Sequence, residues 1–194
     1  MLINLCDRND FLIGYIEGAQ YIDPTIKIAV SYIGSFDDSA KGKEMSLFQY
    51  SQGVDIGYNV AAQAGLGQLD AAKETKKYAI GVDNDQAAIF IDSDPEKAKL
   101  ITTSVLKRVD NSILRAIDLH MEGSAPYGKV EVLGFSEKCV GLADNDIYKE
   151  IVPAEIREEM IDLENKIING EIKVSSAFGM SSEEMNALRN NVKP

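Results

Sequence analysis

Three short polar segments hold residue types able to grip a small molecule. Asp83-Asn-Asp-Gln86 follows the apolar run Ile80-Gly-Val82 and presents two carboxylates, Asp83 and Asp85. A carboxylate at a strand end accepts paired hydrogen bonds from vicinal hydroxyls, such as those of a ribose. The same spacing also suits a plain turn cluster, and it lacks the glycine and terminal glutamate of a calcium loop. Phe36 stands among small and polar residues in Gly34-Ser-Phe-Asp-Asp-Ser39. A ring there either stacks on a planar ligand or packs beneath its own loop. Asp37, Asp38 and Ser39 double as caps for a helix beginning near Ala40.

Ala61-Ala-Gln-Ala-Gly-Leu-Gly67 has a single glycine pair and matches neither the Walker nor the dinucleotide pattern. Its turn could bring backbone N–H groups around Ala62 and Gly65, and the Gln63 amide, to a ligand hydroxyl. Lys107 sits in Ser104-Val-Leu-Lys-Arg-Val-Asp110, where the spacing of Ile101, Val105, Val109 and Ile113 reads as one helix face. A solvated lysine is the default there.

Catalytic chemistry finds little support. His120 is the only histidine, so a Ser-His-Asp triad, a His-rich zinc site or a haem ligand would all have to use it. No nucleophile–base pair is evident, and an enzyme of the Rossmann-like class is the weaker reading: no catalytic residue, metal site or cofactor is expected. Cys6 and Cys139 are too few for a disulfide framework and read as buried or incidental thiols. The net charge of -11 leaves no basic stripe for nucleic acid. Apolar runs such as Ile28-Ala-Val30 are too short to span a bilayer, and the first eight residues lack the form of an export signal.

Strands are expected at Ile26–Ile33, Val54–Val60 and Tyr78–Val82, alternating with helices at Asp10–Tyr21, Ala40–Tyr50 and Leu66–Thr75. That order implies right-handed βαβ units and a parallel sheet. Asp92-Ser-Asp-Pro95 signals a turn and a helix start. A long helix is expected from Lys97 to Met121, strands at Val130–Phe135 and Ile172–Ser175, and a helix at Pro153–Asn169. The tail after Ser181 is polar, helical or frayed.

The order of these phrases resembles the basic membrane protein family, the purine nucleoside receptor-like lipoproteins that bind substrate for ABC transporters. The resemblance rests on Gly34-Ser-Phe-Asp-Asp-Ser-Ala-Lys-Gly-Lys-Glu44, Gln52-Gly-Val-Asp-Ile56, Gly65-Leu-Gly67, Tyr78-Ala-Ile-Gly-Val-Asp-Asn-Asp-Gln86 and Thr103-Ser-Val-Leu-Lys-Arg-Val-Asp110. Val140-Gly-Leu-Ala-Asp-Asn-Asp146 and Ile168-Asn-Gly-Glu-Ile-Lys-Val174 extend it. Two departures are visible: the family's glycine turn usually reads Ala-Gly-Gly-Thr-Gly, where this chain has Ala61-Ala-Gln-Ala-Gly65, and the family's N-terminal part has no counterpart here, so the chain resembles the C-terminal portion only.

The resemblance implies an α/β, type I periplasmic-binding-protein-like fold. Residues 10–95 would form a complete, parallel doubly wound (Rossmann-like) lobe, and residues 96–194 a hinge-crossing helix and the C-terminal part of a second lobe. It implies a purine nucleoside bound between lobes, with Phe36 stacking on the base, Asp83 or alternatively Asp85 holding ribose hydroxyls, Lys107 reaching the ligand, and the Ala62–Gly65 turn offering backbone groups. It also implies an ABC permease as partner and an extracytoplasmic, lipid-anchored full-length protein whose signal this chain lacks. Riboflavin or another planar ligand, and a sensory or regulatory binding domain, are the alternatives. Uncovered apolar faces in the C-terminal part imply a homodimer.

Overall fold

The computed structural model describes residues 2–3 and 10–194; the expectation for Cys6 lies outside them. Among the described residues, six strands form one sheet. In chain order they are β1 (Leu2–Ile3), β2 (Ser31–Tyr32), β3 (Ile56–Val60), β4 (Tyr78–Asp83), β5 (Ile101–Lys107) and β6 (Val140–Leu142). In space they run β2-β1-β3-β4-β5-β6. All neighbouring pairs are parallel except β5–β6, which is antiparallel. This is the order of a doubly wound α/β lobe, with its reversal of direction beside β1.

Alternation along the strands builds two cores. Tyr58 and Val82 face Leu12 and Ile16 of α1 (Asp10–Ile22), joined by Ile28 and Val192. The ring of Tyr15 stacks on Tyr58 at 5.4 Å. Ala79 and Ile101 face the other way, onto Tyr50 of α2 (Ser39–Ser51) and onto Leu69, Ala71 and Ala72 of α3 (Ala62–Thr75). Helices thus cover both sheet faces, as a parallel sheet requires. The helices α2 and α3 touch through glycine: a Cβ on Gly67 would overlap the Ser39 carbonyl oxygen, and one on Gly42 the Ala64 carbonyl oxygen. Short helices α4 (Gln86–Phe90) and α5 (Pro95–Ala98) follow, the second capped by Asp94 as the Asp-Pro signal foretold.

Several expectations are corrected. The segment 97–121 is not one helix. Residues Ile101–Lys107 form β5, and the helix α6 covers only Val109–Met121. A spacing of four satisfies a period of two as well as one of 3.6, so Ile101 and Val105 fit either element. Thr102, Thr103 and Val105 are β-branched, and that preference decides for strand. Strand β5 therefore carries the sheet beyond the boundary expected at residue 95.

Strands at Val130–Phe135 and Ile172–Ser175 are absent. Val130 and Val132 are each 96% exposed; their alternating pattern specifies a half-buried face, but no described residue covers it. Helix α7 spans Asp146–Ile151, and helix α8 spans Ala154–Ile168. Neither α6 nor α8 buries a residue fully. The tail forms α9 (Ser182–Asn191), closed at its start by a reciprocal Ser181–Glu184 capping box. It returns to the lobe: Ile28 N–H donates to the Val192 carbonyl at 2.7 Å, and Arg189 donates to the Tyr32 hydroxyl at 3.0 Å.

Candidate ligand-binding edge

Because β1 to β5 are parallel, their carboxyl ends lie along one edge of the sheet. Every candidate ligand-binding residue lies at or after a strand end on that edge: Phe36 after β2, Ala62, Gln63 and Gly65 after β3, Asp83 at the end of β4 with Asp85 after it, and Lys107 at the end of β5. Phe36 and Ala62 flank the end of β1, where the strand order reverses.

The closest meeting is between Asp83 and Lys107. Lys107 Nζ stands 3.3 Å from Asp83 Oδ1. They belong to neighbouring strands, with Asp83 in register with Leu106. Lys107 was expected within a helix; as the last residue of a strand it projects past the sheet edge instead. An open cleft of about 580 Å³ lies here, lined by Asp83, Asn84, Asp85, Lys107, Arg108 and Asp110, among others. Arg108 donates to both carboxylate oxygens of Asp110. That pairing holds the Asp110 carboxyl below its ordinary range.

Asp83 and Asp85 have different surroundings. Asp83 takes the left-handed conformation, φ 66°, at the centre of a turn closed by the Asn84 N–H on the Val82 carbonyl at 2.8 Å. Three-residue turns with a positive central φ are rare and strained. Asp85 caps α4 by accepting from the Ala88 N–H, and both its oxygens accept from Asn145 Nδ2, at 2.8 and 3.0 Å. Its acceptors are therefore already engaged by protein donors, whereas those of Asp83 face the cleft and one lysine.

Phe36 is 41% exposed, so its ring is not folded away beneath its loop. Asp38 caps α2 through the Lys41 N–H, leaving that role to it rather than to Asp37. The Phe36 carbonyl accepts the Ala64 N–H at 2.7 Å, which ties the aromatic turn to the first turn of α3. Gly65 N–H is likewise taken, by the Ala61 carbonyl. Among the described residues, no acceptor takes the N–H of Ala62 or Gln63. Ala62 is left-handed at φ 49°, a conformation in which a glycine carries no Cβ penalty. Neither Phe36 nor this turn lines the Asp83–Lys107 cleft.

The sequence reading missed Asn145 and the packing role of Gln86. Asn145 had one local signal, as the N-cap of α7. Its reach to Asp85 spans 60 residues and has none. Among the described residues no group of acidic, histidine or cysteine side chains could hold a metal ion, and no helix is long and apolar enough to cross a membrane.

A model of the Bmp family, described as "ABC transporter substrate-binding protein PnrA-like", matches residues 5–177. Basic membrane protein A2 of Borrelia garinii subsp. bavariensis is 34% identical over 167 residues, 84% of this chain and 47% of that protein. The "ABC transporter nucleoside-binding protein BmpA" of Lactococcus lactis subsp. cremoris is 29% identical over 173 residues, 84% of this chain and 48% of that protein. The chain thus spans about half the length of the curated relatives it matches. Among solved structures, an ABC transporter solute-binding protein from Aeropyrum pernix K1 superposes with a TM-score of 0.71 at 26% identity, over 94% of this chain and 59% of that one.

Proposed function

The chain belongs to the Bmp family of PnrA-like ABC transporter substrate-binding proteins, and on that premise we propose that its sheet edge binds a purine nucleoside for an extracytoplasmic ABC importer. The observation that carries this reading is the Asp83–Lys107 pair, brought together at 3.3 Å by two neighbouring strand ends beside an open cleft. A carboxylate with free acceptors suits vicinal ribose hydroxyls, and an adjacent ammonium can donate to ring or hydroxyl oxygens of the same ligand. The half-exposed ring of Phe36 offers a stacking face for the base. Asp83 fits the sugar role better than Asp85, whose oxygens are held by Asn145. The name of the Lactococcus relative supports a nucleoside as the ligand class.

A nucleoside buried on one side only would bind weakly, because most affinity of a clamp comes from enclosure. We therefore assign residues 10–107 and α9 to one ligand-binding lobe. The opposite wall would come from the half of the relatives' length that this chain does not span, with α6 and α8 on its side. On α6, Val109, Ile113, Leu114, Ile117 and Met121 all expose their side chains. For the 194-residue chain by itself, we propose that a second copy covers this stripe. Light scattering across micromolar concentrations tests the dimer, and a strictly monomeric profile excludes it.

Calorimetry with inosine, guanosine and adenosine tests the ligand. Saturable binding abolished by Asp83→Asn supports the reading. No heat up to millimolar nucleoside, with a two-lobed relative binding as positive control, removes it for this chain.

A further inference from the structure

One buried residue, Gln86, ties three strands together beneath Asp83 through its side-chain oxygen and its backbone N–H. Gln86 is 8% exposed. Its Oε1 accepts from the Val82 N–H at 3.2 Å, on β4, and from Asn59 Nδ2 at 3.0 Å, on β3. Its backbone N–H donates to Ser104 Oγ at 3.1 Å, on β5. Gly81 makes the space: a Cβ there would overlap Ser104 Oγ and lie 2.8 Å from Gln86 Oε1.

The strained turn begins at the residue that Gln86 holds. Val82 gives its N–H to Gln86 and its carbonyl to Asn84, so both sides of its backbone are fixed just before Asp83. A left-handed aspartate persists only where its surroundings over-determine it. The turn's own bond, from Asn84 to Val82, is local. The links that orient it against β3 and β5 run through Gln86.

We propose that Gln86 is the positioning residue of the site: its buried side-chain oxygen, together with its backbone N–H on Ser104, holds Asp83 in the left-handed turn, and so aims the carboxylate at the ligand's vicinal hydroxyls and at Lys107. The ligand half of this statement rests on the nucleoside reading above; the conformational half does not. Gln86 touches no ligand in this scheme. Its removal should therefore erode the preference for a ribose carrying both hydroxyls, rather than base binding.

The test compares inosine with 2′,3′-dideoxyinosine on the full chain. Gln86→Met keeps the side chain's length and removes its acceptor; Gln86→Glu restores an oxygen for the Val82 and Asn59 donors. The expected result is a preference for inosine that falls about tenfold in Gln86→Met, with dideoxyinosine affinity within about twofold, and returns in Gln86→Glu. Equal weakening of both ligands, or an undiminished preference, overturns the proposal. Ser104→Ala, which removes only the hydroxyl taken by the Gln86 N–H, should lower the preference in the same direction if Gln86→Met does not fold; an unchanged preference there also overturns it. Should the parent chain bind neither ligand, the nucleoside reading fails. Crystal structures of the ligand-free variants then decide the positioning claim. Asp83 leaving positive φ and parting from Lys107 supports it, and an unchanged Asp83 refutes it.

Discussion

Lys107 Nζ stands 3.3 Å from Asp83 Oδ1, across the ends of two parallel strands that share a sheet edge. Both side chains remain open to solvent, 57% and 40% exposed. An ion pair so wet contributes about 0–1 kcal/mol to folding. The proposed binding role and a structural role can therefore be separated. Asp83→Asn and Lys107→Met should each weaken nucleoside binding by about tenfold or more, measured by calorimetry, as loss of a charge-assisted hydrogen bond implies. Denaturant unfolding of the same variants should stay within about 1 kcal/mol of the parent. A large loss of stability with intact binding would make the pair structural.

Phe36 should act on the base alone. Stacking on an aromatic ring contributes about 1–3 kcal/mol per base, with little preference among bases. Phe36→Ala is thus expected to weaken inosine, guanosine and adenosine alike, and to leave the weak binding of free ribose unchanged. The carbonyl of residue 36 would still accept the Ala64 N–H, so the turn keeps its anchor. Full affinity in Phe36→Ala would place the base elsewhere on the edge.

Much of the sheet edge is legible in the sequence because Phe36, the Ala62–Gly65 turn and Asp83 each follow a short apolar run. Strands β3 and β4 are β-branched or aromatic segments bounded by turn residues, and they form where the pattern puts them. Strand β5 was hidden because Ile101, Val105, Val109 and Ile113 repeat every four residues, which both periods accept. Strand β1 is described over two residues, too few to show a pattern. Val130 and Val132 show the reverse failure: the alternation is real, but a strand needs a neighbour to cover it. The Asn145–Asp85 and Gln86–Asn59 bonds join distant segments, and no local rule encodes such pairings. They decide which of two similar aspartates stays available.

Close packing of α2 on α3 sets where the Phe36 turn meets the α3 turn. A Cβ on Gly67 would overlap the Ser39 carbonyl oxygen and the Lys43 nitrogen, which belong to backbone and cannot rotate aside. Gly67→Ala must push the helices apart, and overpacking of this kind costs about 1–3 kcal/mol. The same shift should lengthen the Ala64–Phe36 bond and weaken base binding. Thermal unfolding together with nucleoside titration checks both effects. Unchanged stability would show that the helices separate freely.

Ala62 gives a change of opposite sign. At φ 49° its Cβ crowds the backbone, a strain of about 1–2 kcal/mol for an L-residue. Its side chain is exposed, so little packing is lost on removal. Ala62→Gly should stabilise the chain by about 0.5–1 kcal/mol, after the added freedom of the unfolded glycine is subtracted. Urea midpoints of the two proteins measure it, and a destabilised glycine variant would show that Ala62 packs usefully.

Tyr50 links the core to alkaline pH. Its hydroxyl donates to the Tyr78 carbonyl at 3.0 Å and accepts from Gln68 Nε2 at 3.1 Å. Burial, its largest influence, pushes the phenol from 10.0 up to about 12. In the unfolded chain the group ionises near 10, so above that pH unfolding releases a proton that the folded state retains. The stability carried by the neutral phenol is complete below about pH 10 and is lost as pH rises towards 12. Tyr50→Phe removes this dependence. At neutral pH it also strips the Gln68 amide nitrogen of its acceptor, in a side chain whose Oε1 has no partner among the described residues. That should cost about 1–3 kcal/mol. The gap between parent and variant should therefore narrow by about 1 kcal/mol from pH 8 to pH 11, since one pH unit of differential protonation is worth about 1.4 kcal/mol. Guanidinium unfolding at the two pH values measures the gap directly. A constant difference would mean that Tyr50 ionises as readily in the folded protein as in the unfolded chain.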